Sequence, residues 1–422
     1  MVTDVCLILE GTYPYVVGGV STWVHALVGG LPDLDFSLVH LAASDGQERE
    51  LKFDLPPNLR ELVAVEIDGY QRPHQVAHWR PGPVRLPQSR VYHALSTGFA
   101  GLLAGQIKEQ SARPFILTEH AIYWREIAGG ATEVECGFRV VRRTGRAEVT
   151  ALRRHWTTTF RRLARRAYAQ ADAIVTVCEA NRRLQLQEGA EPEKCRVIPN
   201  GVSPKRFAPA GAHPPCANGR LHVGLVGRVA PVKDVEVFIR AAHLLTGRLP
   251  EARFTVIGPT DHDPAYHRRC LRLAGELGLD GRLVFAGEQP PQECYADLDV
   301  MVLTSRSEAQ PLAVLEAMSA GRPVVVTDVG ACRELVEGAD GDEEDRALGM
   351  AGLVTPPQYP QATAEAVLAL YRDPALAARM GRTGQRRARR FYRQERCLAG
   401  YRRLYGRFIS IRRKGVSREG GV

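Results

Sequence analysis

The sequence contains no run of about eighteen apolar residues, so nothing in it reads as a helix that crosses a membrane. Its first stretch, MVTDVCLILE, has neither a basic segment nor a small-residue cleavage site. It reads as a first strand and not as a signal peptide. Aromatic residues make up only 7% and do not alternate with basic ones, which argues against an RNA-recognition surface and leaves nucleic acid out of the expected partners. No CxxC pair occurs, and the nine cysteines are scattered and odd in number. Neither a disulfide framework nor a zinc site is indicated, and reduced thiols of a cytoplasmic protein are the expectation. A GxGxxG fingerprint followed by an acid is also missing, which weakens a nicotinamide-dependent oxidoreductase reading.

What is present is ordinary globular composition, 45% hydrophobic and 24% charged over 422 residues, enough for two or three domains. The net charge of +9 points to an anionic partner. Arginine is concentrated around Arg139–Arg166, with RRLARR, and in GQRRARRFYR near the C-terminal end. Both stretches interleave basic and apolar residues as helix faces do. A solvated face and a surface for anionic lipid both fit.

Short β-branched runs alternate with helical periods along the chain. VCLILE, FSLVHL, ELVAVEI, PFILTE, AIVTV and RVIPNG precede residue 202, and LHVGLV, RFTVIG, RLVFAG, LDVMVLT, RPVVVT and AGLVT follow it. The pattern predicts βαβ units and parallel sheets, and twelve runs divide naturally into two sheets of about six strands. Between them lies PNGVSPKRFAPAGAHPPCANGR, with five prolines, which places a boundary near residues 205–218. The expected fold is α/β, with two Rossmann-like doubly wound domains facing across a cleft, residues 1–207 and 218–392.

Open parallel sheets bind ligands beyond the carboxyl ends of their strands, so the residues just after each run are the informative ones. After VCLILE, Gly18 and Gly19 open a probable helix with no side chain to hold an anion off its first N–H groups. After PFILTE comes His120, flanked by Glu119, Tyr123, Trp124, Arg125 and Glu126, a polar and aromatic cluster that suits a hydroxyl-rich substrate. After LHVGLV, Arg228 and Lys233 offer a planar fork and a point charge, a pair fitted to a diphosphate. After LDVMVLT, Glu308 stands in an entry loop. Ala309, Gln310, Pro311 and Leu312 lead from it into a helix that carries Glu316 about a turn and a half inside. Together these describe a nucleoside diphosphate held by the second domain, with a second substrate presented by the first. Solvated surface charges, a plain turn and capping glutamates are the competing readings of the same residues.

The order VIPNGV at 197–202, GRVAPVKD at 227–234 and E-x7-E from Glu308 to Glu316 resembles the family-four (GT4) retaining glycosyltransferases of GT-B fold. EGTYPYVVGGVSTWVHAL, VYHALSTGFAGLLAG and LTEHAIYWRE look most like the PelF-type enzymes of Pel exopolysaccharide synthesis. The resemblance implies that Arg228 and Lys233 grip the diphosphate of a UDP-sugar, Glu316 holds the ribose hydroxyls, and Glu308 contacts the donor sugar near the anomeric carbon. It implies that His120 hydrogen-bonds that sugar and that Gly18–Gly19 bring backbone N–H groups to the phosphate. Where the family usually has glycine after the first glutamate this chain has Ala309. A UDP-sugar as co-substrate with no cofactor and no metal, and a growing polysaccharide as acceptor, are implied as well. So are cytoplasmic placement, peripheral to the inner membrane through synthase subunits or anionic lipid, and a last helix, about 393–415, that returns to the first domain. A non-catalytic GT-B scaffold subunit and a sugar-phosphate phosphorylase are the alternatives.

Overall fold

The computed structural model describes residues 1–43, 49–67, 73–129, 146–207, 221–290 and 293–416. Residues 139–145 of the first arginine-rich stretch, 208–220 of the proline-rich stretch and the final 417–422 lie outside them. The chain divides into two compact units, Met1–Pro199 with Leu398–Val422, and Asn200–Cys397.

The first unit is built on strands β1 (Thr3–Glu10), β2 (Phe36–Ala43), β3 (Leu59–Ile67), β4 (Ser89–Ala94), β5 (Phe115–Glu119), β6 (Ala173–Thr176) and β7 (Cys195–Val197). They form one sheet in the order β3-β2-β1-β4-β5-β6-β7, every pairing parallel. The second unit has β8 (His222–Val226), β9 (Arg253–Ile257), β10 (Leu283–Gly287), β11 (Val300–Leu303), β12 (Val324–Thr327) and β13 (Gly352–Thr355), ordered β10-β9-β8-β11-β12-β13 and also parallel. Parallel strands need crossover helices, which cover both sheet faces. That is why the central runs are apolar throughout instead of alternating. Val5 to Leu9 and Val300 to Leu303 are all buried.

The strand missing from the sequence reading is β4, which sits centrally between β1 and β5. Its sequence, SRVYHA, carries polar residues whose burial only their partners explain. Ser89 Oγ lies 2.6 Å from Thr3 Oγ1, and His93 is hydrogen-bonded to Tyr405 (2.8 Å) and Thr118 (2.7 Å).

The division between units falls at Asn200, ahead of 205–218, because the PNGV segment is already tied to the second unit. Asn200 N–H donates to Gln310 Oε1 (2.7 Å) and its Nδ2 to the Gln310 carbonyl (3.1 Å). Val202 bridges to Arg393, with Val202 N–H donating to the Tyr392 carbonyl at 2.9 Å. The last helix, Gln394–Val416, changes unit at Leu398. Beyond that point Tyr401 packs edge-on against Trp23 (5.1 Å), and Tyr405 against Phe36 (6.1 Å).

Candidate functional site

In the second unit, two loops that follow neighbouring strands are stitched together. The first leaves β8 at Gly227, carries Arg228, makes a tight turn over Pro231–Lys233 and enters the helix Val235–Thr246. Its approach to the β9 loop depends on glycine: a Cβ at Gly258, where φ is +144°, would lie 2.3 Å from the Gly227 carbonyl oxygen. The second loop, Thr304–Gln310, leaves β11. Thr304 donates its hydroxyl to the Lys233 carbonyl (2.9 Å), and Arg306 N–H donates to the Val232 carbonyl (2.8 Å). The Arg306 guanidinium forks onto both oxygens of Asp234, at 2.7 and 3.1 Å. Asp234 is buried and takes a left-handed backbone at φ +47°, a conformation that short polar residues tolerate better than most.

This stitching brings Lys233 and Glu308 into direct contact. Lys233 Nζ lies 2.6 Å from Glu308 Oε1, with both side chains mostly buried at 16% and 12% exposure. Ser305 donates its hydroxyl to the same oxygen, also at 2.6 Å. The Glu308 loop is backed by the turn after β12, where Ala331 N–H donates to the Ala309 carbonyl (2.7 Å). A Cβ at Gly330, φ +54°, would lie 2.0 Å from the Glu308 carbonyl oxygen.

Leu312 begins the helix Leu312–Ser319, with Pro311 as its N-cap residue in extended backbone. The Pro311 carbonyl accepts from Val314 and Leu315, so the N–H groups of Leu312 and Ala313 lie at the helix's open, electropositive end. Gln310 is engaged by Asn200 through both its amide oxygen and its carbonyl. Glu316, inside the helix, accepts a 2.7 Å hydrogen bond from the Tyr295 hydroxyl. Burial pushes the Glu316 carboxyl above the usual carboxylate range, against the opposing pull of the Tyr295 hydrogen bond and of Arg206. Arg228 stands near His262, whose imidazole is held below its ordinary value first by burial and then by that guanidinium. The triplet Asp261-His262-Asp263 follows β9, and within it Asp263 serves as an N-cap, accepting from Tyr266 N–H at 2.9 Å.

In the first unit, the helix Gly19–Gly29 starts directly after Gly18. Backbone there is extended (φ 178°), and a Cβ at Gly18 would meet nothing within 4 Å. Neither strain nor crowding inside the chain therefore calls for glycine at that position. The helix places Trp23 edge-on to His120, ring centroids 4.5 Å apart. Burial lowers His120 to about 4, so the ring is neutral near pH 7, and its Nε2 is buried with no hydrogen-bond partner among the described residues. Three members of the polar cluster around His120 have contacts within the first unit. Glu119 accepts from Thr97 (3.0 Å), Tyr168 (2.7 Å) and Gln185 (2.9 Å), Tyr123 packs against Phe160, and Arg161 lies over Trp124.

The structure thus groups Lys233, Glu308 and the head of the Glu316 helix in one unit, and Gly18–Gly19 with His120 in the other. Sequence reasoning passed over Tyr295, Ser305, Asp234, Arg306 and Gly330. Only the positive-φ demand at Gly330 has a local signal, a glycine just after a strand.

Residues 220–373 match the family model described as glycosyl transferases group 1. Residues 3–82 and 79–193 match a domain of unknown function, DUF3492. Among curated proteins, the D-inositol 3-phosphate glycosyltransferase of Nocardia farcinica is 33% identical over 186 residues, 41% of either chain. That of Acidothermus cellulolyticus is 31% identical over 263 residues, 53% of this chain and 57% of the relative. The chain thus spans about half the length of these curated relatives. Solved structures match over nearly the whole length. Sucrose-phosphate synthase from Thermosynechococcus elongatus gives a TM-score of 0.71 at 18% identity, covering 97% of this chain and 100% of that one. Anabaena HepE, in complex with UDP and glucose, gives 0.68 at 17%, covering 94% and 98%. Two parallel-sheet α/β units with these neighbours make the architecture a GT-B fold, within which residues 220–373 match the glycosyl transferases group 1 model.

Proposed function

We propose that the protein is a retaining glycosyltransferase that moves a hexosyl or N-acetylhexosaminyl group from a UDP-sugar to a glycan acceptor, using Glu308, His120, Arg228 and Lys233. The observation that carries this reading is the contact between Lys233 and Glu308 at the head of the Leu312–Ser319 helix, inside the group 1 domain. Breaking a sugar–phosphate bond leaves negative charge on the departing diphosphate and an electron-poor anomeric carbon. A cation and an open helix end stabilise the first, and a carboxylate beside the sugar favours the second. In this reading Arg228 and Lys233 hold the diphosphate, Glu308 faces the donor sugar, and Glu316 takes ribose hydroxyls. Ala309, Gln310, Pro311 and Leu312 set the loop and helix head around it. His120, neutral and lacking a partner at Nε2, supplies a hydrogen bond to the sugar, and Gly18–Gly19 leave room for phosphate. Retention follows if the acceptor attacks on the face from which the diphosphate leaves and its proton passes to that phosphate. Charge neutralisation by side chains makes the reaction independent of metal and of any further cofactor.

UDP is the nucleotide of choice here because HepE, a neighbour in fold, has been solved with UDP-glucose. A Pel-type exopolysaccharide as acceptor, on the cytoplasmic side of the inner membrane, rests on the first-half stretches EGTYPYVVGG and LTEHAIYWRE. The membrane-facing part of the proposal draws on the helix Pro374–Phe391. It buries Ala377, Met380, Gly381 and Gly384 and exposes Arg379, Arg382, Arg386 and Arg389. In the other arginine-rich stretch, Arg161 and Arg165 are engaged with Glu188.

The test is nucleotide release from UDP-, GDP- and ADP-sugars without added metal, wild type against Glu308→Ala. Release from a UDP-sugar that the variant loses is the expected result. Nucleotide binding with no release from any donor, whatever acceptor is added, would replace catalysis with a scaffold role. Release that requires inorganic phosphate would point to a phosphorylase.

A further inference from the structure

Tyr295 lies in a turn-rich segment between β10 and β11, and its side chain is 1% exposed. Two groups fix it from behind. The buried Arg322 donates from Nε to the Tyr295 carbonyl (3.0 Å) and from Nη2 to the Ala296 carbonyl (2.7 Å). Phe207 packs edge-on against its ring, centroids 6.0 Å apart. The phenol reaches the Leu312–Ser319 helix, where its hydroxyl donates to Glu316 Oε2 at 2.7 Å.

A tyrosine hydroxyl has one proton to give, and giving it to Oε2 fixes which edge of the carboxylate faces elsewhere. Among the described residues, Oε1 has no hydrogen-bonded partner. From these contacts we infer that Tyr295 is a positioning residue that makes Glu316 selective for a nucleotide carrying ribose hydroxyls. The inference rests on the donor reading above and adds to it. It assigns the ribose selectivity to a side chain outside the E-x7-E motif, held by Arg322 and Phe207. The hydroxyl does two things at once. It favours the charged form of a carboxylate where burial disfavours it, and it aims the remaining oxygen as an acceptor. A deoxynucleotide would cover that oxygen without giving it a donor, and an acceptor so covered and left unpaired is costly.

Tyr295→Phe removes the hydroxyl and keeps the ring that Phe207 and the core require. Calorimetric affinities for UDP, 2′-deoxy-UDP and 3′-deoxy-UDP would be compared in wild type, Tyr295→Phe, Glu316→Gln and the double variant, with melting temperatures recorded alongside. Wild type is expected to prefer UDP over at least one deoxy analogue by tenfold or more. Tyr295→Phe is expected to weaken UDP about tenfold and that analogue hardly at all, so the preference collapses. In the Glu316→Gln background the second substitution should change nothing further. Equal losses for UDP and the analogue, or an undiminished preference in Tyr295→Phe, would overturn the inference while leaving the donor reading intact. A wild type that binds no UDP would overturn the donor reading, and the inference with it.

Discussion

At the scale of single residues, the informative fact is that Lys233 and Glu308 pair with each other, so neither is left an uncompensated, mostly buried charge. On the proposed reading a diphosphate would compete with a carboxylate 2.6 Å from the ammonium. If Lys233 acts as proposed, Lys233→Ala removes a donor to the leaving group, and its expected cost is about two orders of magnitude in turnover. Steady-state kinetics on folded variant decide this, and turnover within a few-fold of wild type would take Lys233 out of the reaction. This residue was legible in the sequence because a cation just after a strand is an unusual occupant. Its pairing with Glu308 and the Asp234–Arg306 fork were not. Nothing in "SRS" or "KD" announces contacts that span about seventy residues and exist only once β8 and β11 are side by side.

At the scale of elements, the second-unit site is two loops held at close quarters, and glycine sets how close. At Gly330 the chain needs both a left-handed backbone and an empty Cβ position against the Glu308 carbonyl oxygen. Gly330→Ala therefore pushes the Glu308 loop away from the helix head instead of merely straining a turn. The expected outcome is a loss of turnover of tenfold or more, with a stability cost of about 1–3 kcal/mol for the forced backbone. Kinetics paired with thermal melting check both; unchanged turnover at lowered stability would mean the loop's position is not what matters. The strand pattern was readable for the same reason the fold is simple. Twice-covered parallel sheets demand unbroken β-branched runs, and twelve of the strands supply them. The exception, β4, shows what defeats such a reading: His93 and Ser89 belong in a core only because Thr118, Tyr405 and Thr3 meet them there.

At the scale of the whole molecule, buried histidines set what acid does to the first unit. Three histidines of the first unit are buried and depressed by desolvation: His93 to about 3, and His40 and His120 to about 4. Each is neutral in the fold, whereas the unfolded chain takes up protons below the ordinary histidine value of about 6.5. Their contribution to stability is therefore complete above that value. It is lost as pH falls toward the folded values, at about 1.4 kcal/mol per pH unit for each ring. His93 also ties the returning C-terminal helix to the sheet, since its partner Tyr405 stands on that helix. The sequence supplies a direct probe, because all four tryptophans, at 23, 79, 124 and 156, lie in the first unit. Urea titrations followed by tryptophan emission should show the midpoint falling steeply between pH 6.5 and 4.5. Replacing Tyr405 with Phe should lower the midpoint already at pH 7, by removing the partner of an otherwise satisfied buried ring. A tryptophan midpoint that holds constant or rises on acidification would mean that the first unit is not stabilised by its uncharged histidines.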